Sequence, residues 1–307
     1  MAGAVLGFRR AMVRATVVWL VFFLPRFLRC RAIYARSNPG DPPEYCTLFN
    51  HMVKSGGSSI KEKLAHSAMA DGVATSGLCV QGPNTEEKCL HAVSNSAVIT
   101  GYTELLRAPL ERIGRQCEYF TMMRHPIDRL VSAFFYCPSH DMQNRPSKWC
   151  GDRQDPAPLT DRLLEYAQER WQNKAFNQMS YSLFCPSNAF CEQSRPPAPT
   201  GFNQPGGWKV FGEIAGILGT YAAVGILEHW DLSMQLFDAK VKSPVTDWQT
   251  IRLANAGQMS GIRDEIVQWA HSSPEIHEAL ATDMLLYDFS LSLFKLQTKE
   301  ALGTVWP

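Results

Sequence analysis

Short apolar runs, each closed by a glycine- or proline-bearing turn and followed by a helix-period stretch, recur along the chain. CTLFN, residues 46–50, is apolar or β-favouring and ends in polar residues. The turn Lys54-Ser55-Gly56-Gly57-Ser58-Ser59 follows, and IKEKLAHSAM predicts a helix from Ile60. Tyr119–Met123 is a second such run, closed by Arg124 and a turn at His125-Pro126 before another helix. Ala97–Thr100 and Ala222–Leu227 predict further strands. GYTELLRAPLERIG suits a short amphipathic helix, and residues 159–173 (LTDRLLEYAQERWQN) predict a helix opened by a Thr cap. Beyond Leu227 the pattern is mostly helical. Residues 72–88, 137–158 and 194–208 read as polar or Pro/Gly-rich loops, the last as an insertion near a cleft. No internal repeat is visible. The alternation predicts an α/β fold, a central mainly parallel sheet flanked by helices, with ligands at the carboxyl ends of the strands.

Strand, glycine turn and helix together put backbone N–H groups and a helix N-terminus around one anion. Paired glycines let the backbone approach without a Cβ in the way. Ser55, Ser58 and Ser59 add hydroxyl donors, and Lys54 adds a point charge. The nucleoside-triphosphatase pattern is excluded, because its lysine follows the second glycine and is itself followed by Ser or Thr. A second anion site is expected at Arg124, with Ser132 about two helical turns on.

These two motifs resemble those of the sulfotransferases that use 3′-phosphoadenosine 5′-phosphosulfate, especially the Golgi membrane-anchored enzymes that sulfate heparan-type glycans at 2-O or 6-O positions. KSGGSS (54–59) matches the loop that holds the 5′-phosphosulfate in that family, and RHPIDRLVS (124–132) the segment that holds the 3′-phosphate. Fainter similarity continues to about residue 295. The resemblance implies a P-loop-like sulfotransferase fold, with Lys54, Ser55, Gly56, Gly57, Ser58, Ser59, Arg124 and Ser132 as donor-binding residues. It also makes Lys54 the catalytic lysine. Arg129 is expected either to contact the nucleotide or to brace the loop. His125 stands where the family more usually has aspartate, and His51 resembles a position held by histidine in some relatives.

A general base must lie within reach of the acceptor hydroxyl. The family supplies it between the two motifs, and there the candidates are Glu104 and His91. Gly101-Tyr102 replaces the Gly-His found in some relatives. Two alternatives stay open: a non-catalytic glycan- or nucleotide-binding protein of the same fold, and a nucleotide-dependent kinase, which the misplaced lysine disfavours.

Charge refines the picture. The net charge of +1 hides an arginine-rich head: residues 1–40 carry seven arginines and no acid, and the remainder is about −6. That balance argues against a nucleic-acid surface, which needs clustered excess positive charge. Residues 1–34 are expected to be a basic signal or anchor segment around the apolar run 15–24. This run is short of the ~20 residues a bilayer span needs, and it fits a signal peptide, a short signal anchor or an organelle transit peptide. The resemblance favours a single-pass type II Golgi membrane protein with a lumenal domain, a secreted or organelle-targeted protein being the alternative. Residues 35–45 read as a stem and 46–307 as the catalytic domain. Cys30 lies in the head, and the other eight of the nine cysteines form an even set. Cys79/Cys89, Cys137/Cys150 and Cys185/Cys191 are close pairs across polar loops, while Cys46 and Cys117 border core strands. Loop placement favours disulfides and an oxidising compartment. No spacing forms a zinc site, so no metal is expected. The acceptor implied is a glycan of modest negative charge, met by Lys61 and Lys63 or by Arg107, Arg112 and Arg115.

Overall fold

The computed structural model describes residues 46–52, 54–72, 75–77, 96–101, 110–111, 114–136, 151, 155–171, 207–252 and 261–304. The chain divides into the units Met1–Pro39 and Gly40–Pro307, and all described residues belong to the second. The head and stem assignments, Glu104, His91 and the three close cysteine pairs therefore lie outside the described residues. Among the described residues no helix is long and apolar enough to cross a membrane.

Five strands form one sheet: β1 (Thr47–Asn50), β2 (Thr75–Gly77), β3 (Val98–Gly101), β4 (Glu118–Met123) and β5 (Ala223–Ile226). Their order is β2-β3-β1-β4-β5 and every pairing is parallel. TLFN, VITG and AVGI are buried at every position, as strands covered on both faces require. After β1 the chain builds one half of the sheet, then returns beside β1 as β4 to build the other. The carboxyl ends of β1 and β4 thus flank the point where strand order reverses, which is where open parallel sheets bind ligands.

The helices are α1 (Gly57–Ala70), α2 (Pro126–Phe134), α3 (Leu159–Glu165), α4 (Gly207–Gly219), α5 (Trp230–Lys240), α6 (Gly261–Ser272), α7 (Pro274–Ala279) and α8 (Ala281–Leu302). The register sets Phe49 beside Phe120, with ring centroids 4.9 Å apart. Phe237 of α5 and Trp248 meet Phe120 edge-on at 5.1 and 5.7 Å. A second apolar cluster joins α2, α3, α6 and α7 through Ile127, Leu130, Phe134, Leu163, Ile266 and Ile276. Gln297 of α8 accepts from Val224 N–H at 2.9 Å and donates to Tyr221 O at 3.1 Å. It thereby satisfies backbone groups at an edge strand. A disulfide joins Cys46 and Cys117, the residues just before β1 and β4, and closes a 71-residue separation. Such a link stabilises mainly by restricting the unfolded chain.

Four details differ from the sequence-based expectation. First, α1 starts at Gly57 rather than Ile60, because Gly56 takes a left-handed cap (φ 74°) and the next three residues enter the helix. Second, Thr75–Gly77, inside the stretch read as loop, pairs with β3; a three-residue polar edge strand carries no hydrophobic pattern to announce it. Third, the expected Thr cap is absent. Pro158 occupies the cap of α3, and Thr160 lies inside the helix with its hydroxyl on Asp161 at 3.4 Å. After α3 the helix continues as a π-helical turn, Tyr166–Trp171. Fourth, α4 begins at Gly207, on the last two residues of the stretch read as a Pro/Gly-rich loop, and runs to Gly219, where no helix was anticipated.

Candidate donor-binding and catalytic site

The chain leaves β1 through His51 and Met52 and reaches the loop at Lys54. Lys54 (φ 65°) and Gly56 are both left-handed, and this turn aims the start of α1 at the sheet's carboxyl edge. A left-handed lysine is uncommon and costs energy that surrounding contacts must hold. Ser55 is fully buried, and its hydroxyl meets no hydrogen-bond partner. A buried polar atom of this kind is satisfied when an anion or polar ligand enters. Ser58 is exposed and Ser59 buried.

Gly57 is needed for a reason the loop motif alone does not disclose. A Cβ there would overlap the ring of His51, which stacks on Phe49 at 6.1 Å. Burial, then Lys61 and Lys54, lower the His51 pKa to about 4, so this ring is neutral at physiological pH. Gly57→Ala is expected to cost about 1–3 kcal/mol through overpacking, read as a lower urea midpoint. Adding His51→Ala should recover part of that loss by making room. A single variant as stable as the parent would show that the ring is not fixed against the loop.

Arg124 closes β4 and donates from Nη1 to the Lys54 carbonyl at 3.1 Å. The two motifs, 70 residues apart in sequence, therefore touch. Burial lowers the Arg124 pKa, opposed by Asp128 and Glu228. Pro126 begins α2, where its missing N–H costs nothing. Ser132 lies further along the same helix and is partly exposed. Lys54 Nζ sits 3.8 Å from the Tyr136 ring centroid, just beyond the end of α2. Its pKa is lowered by burial, then by Arg124 and by Arg263 of α6. Arg263 rests 4.8 Å over Phe135. Cations converge here, and mutual repulsion makes the site receptive to a polyanion.

Arg129 is closed off from solvent. It is fully buried and pairs with the equally buried Asp283 of α8, Nη2 to Oδ2 at 2.8 Å. Of the two roles expected for it, bracing is the one its position serves. Glu228, just after β5, braces the turn from the other side. Its Oε1 accepts from His125 N–H at 2.8 Å and its Oε2 from Tyr287 Oη at 3.1 Å. Sequence reasoning missed Glu228, Asp283 and Tyr287. The stretches around them had appeared only as faint family similarity, and nothing local marks a brace.

The cation clusters expected to meet an acceptor are partly engaged. Lys63 pairs with Asp247 at 2.7 Å, and Arg115 donates to the Ser96 carbonyl. Arg107 and Arg112 lie outside the described residues. Lys61 instead lines a cleft of about 360 Å³ with Ser58, Glu62, Thr75 and Thr100.

A family model described as the sulfotransferase family matches residues 43–196, just over half of the chain. The match spans both anion motifs. No curated protein matches the chain.

Proposed function

The chain belongs to the sulfotransferase family, and we propose that it transfers a sulfuryl group from 3′-phosphoadenosine 5′-phosphosulfate to a carbohydrate hydroxyl. The observation that carries the donor reading is the contact between Arg124 and the Lys54 carbonyl. It joins two anion-binding motifs at one place, as a ligand with phosphates at both ends of a nucleoside needs. The orphan Ser55 hydroxyl and the Gly57 cradle fit the 5′ end of such a ligand. Lys54, Ser55, Gly56, Gly57, Ser58 and Ser59 would hold that end, and Arg124 with Ser132 the 3′-phosphate. When bound, the donor supplies an activated sulfuryl group on a phosphate leaving group.

The residues then act as follows. Lys54 offers an ammonium to charge developing on the bridging oxygen, an interaction strongest in the transition state. The first turn of α1 presents backbone N–H groups and the positive end of its dipole. Glu104 and His91 remain the proposed bases. The cleft beside Ser58 mixes one lysine with one glutamate, which suits a glycan of modest charge better than a dense polyanion. The Cys46–Cys117 disulfide supports a lumenal setting. Type II anchoring in the Golgi through residues 1–34 is the localisation proposed.

The test incubates the full chain with sulfur-labelled donor and a panel of glycans, peptides and small alcohols, alongside calorimetry with the desulfated donor. Binding of the desulfated donor and label on glycans is the expected result. Label confined to tyrosine peptides or lipid alcohols would overturn the carbohydrate acceptor. Binding without any transfer would favour the non-catalytic alternative.

A further inference from the structure

On the side of the Arg124 turn that faces α6, three ligand-bearing side chains converge. One atom from each of His125, Asp128 and His271 lies within 4.8 Å of the others, a juxtaposition of such groups found nowhere else among the described residues. His271 Nε2 is 3.0 Å from Asp128 Oδ1, and the His125 and His271 rings are 4.8 Å apart with planes inclined by 35°. Nδ1 of His125 is buried and has no hydrogen-bond partner. We propose that His125, Asp128 and His271 bind one divalent transition-metal ion of the zinc class, which clamps α6 to the turn carrying Arg124.

The donor set is chemically apt, since two imidazoles and a carboxylate are ligands of Zn²⁺ and Co²⁺ rather than of Mg²⁺ or Ca²⁺. The geometry is close. Tetrahedral ligands about 2.0–2.1 Å from zinc stand ~3.4 Å apart, so modest side-chain rotation brings the set onto one ion. The charge also fits: Asp128, Glu228 and Asp288 act on His125, while Arg124 is the neighbouring cation that feels Asp128 and Glu228. Three carboxylates acting on the His125 ring favour a cation bound beside it. The backbone is already braced, because Glu228 holds His125 N–H and His277 Nε2 meets the His271 carbonyl at 2.9 Å. Linear spacing shows none of this, since His271 stands 143 residues from Asp128.

This site does not depend on the identity of the sulfuryl donor or acceptor, and its test does not use activity. The full chain is freed of metal with a chelator and titrated with Zn²⁺ by calorimetry, then with Co²⁺ by visible absorption. One equivalent of each ion should bind, with Co²⁺ giving the intense visible bands of a low-symmetry site. His125→Ala and His271→Gln should each weaken Zn²⁺ binding by at least about 100-fold, the upper end of what an outer partner of a metal ligand is worth. His271 is 40% exposed near the end of α6, so His271→Gln keeps the test sound even if His125→Ala misfolds. Absence of Zn²⁺ binding overturns the proposal. So does binding of equal strength in His271→Gln, because the ion then sits elsewhere.

Discussion

Lys54→Ala is expected to lower turnover by at least about 10²-fold, the effect of removing one group that stabilises developing charge. Affinity for the desulfated donor should fall far less. The asymmetry follows from how the site is assembled. In the proposed site, ground-state binding would be shared among the loop N–H groups, three serines and Arg124, so losing one cation would remove a small part of it. Charge on the bridging oxygen appears only as the sulfuryl group departs, and Lys54 is the cation assigned to meet it. Before the donor arrives, its ammonium rests on the Tyr136 ring at 3.8 Å. That contact is worth only about 0.5–1 kcal/mol at an exposed ring, so a polyanion readily draws the side chain away. Among the described residues no carboxylate pairs with Lys54, and burial, then Arg124 and Arg263, push its pKa down. Anion binding relieves that repulsion. Single-turnover rates and calorimetry on the same preparation separate the two effects. Unchanged turnover would remove Lys54 from the chemistry, and an equal loss in rate and affinity would make it a binding residue.

Strand-turn-helix order was legible because each step is local. Apolar runs mark buried strands, Gly56-Gly57 marks a close backbone approach, and Pro126 marks a helix start. Two such units predict a mainly parallel sheet, and every pairing in the sheet is parallel. What lay beyond reach depends on contacts made across the fold. That His51 needs the bare Gly57 is evident only when β1 and α1 are side by side. Arg129 reads from sequence as a nucleotide ligand or as a brace, and only its burial against Asp283 separates the two. The Thr75–Gly77 strand is defined by its pairing with β3 rather than by its own residues. The lysines beside the loop look equivalent along the chain, yet Lys63 is engaged by Asp247 whereas Lys61 lines a cleft.

The Arg129–Asp283 pair leads to the largest expected change in stability. Asp283→Ala removes the carboxylate and leaves a guanidinium in a place with no access to water, since both side chains are fully buried. Breaking a buried pair in this way costs about 3–5 kcal/mol, a large part of the roughly 5–15 kcal/mol that holds a domain together. The loss reaches the site as well. Arg129 is on α2, between Arg124 and Ser132, and Asp283 lies in the first turn of α8. Their bond sets how α2 presents both ends of its anion motif. Urea unfolding should therefore show a strongly lowered midpoint for Asp283→Ala, and the surviving folded fraction should bind the desulfated donor more weakly. The double variant Arg129→Met, Asp283→Leu separates charge from packing. Replacing both partners by apolar groups removes the buried charge, and such exchanges are often neutral or stabilising. It should regain most of the midpoint while donor affinity stays reduced, because the orienting bond is still missing. A double variant no more stable than Asp283→Ala would show that shape, not charge, governs this contact. Full recovery of donor affinity would show that the pair does not position the motif.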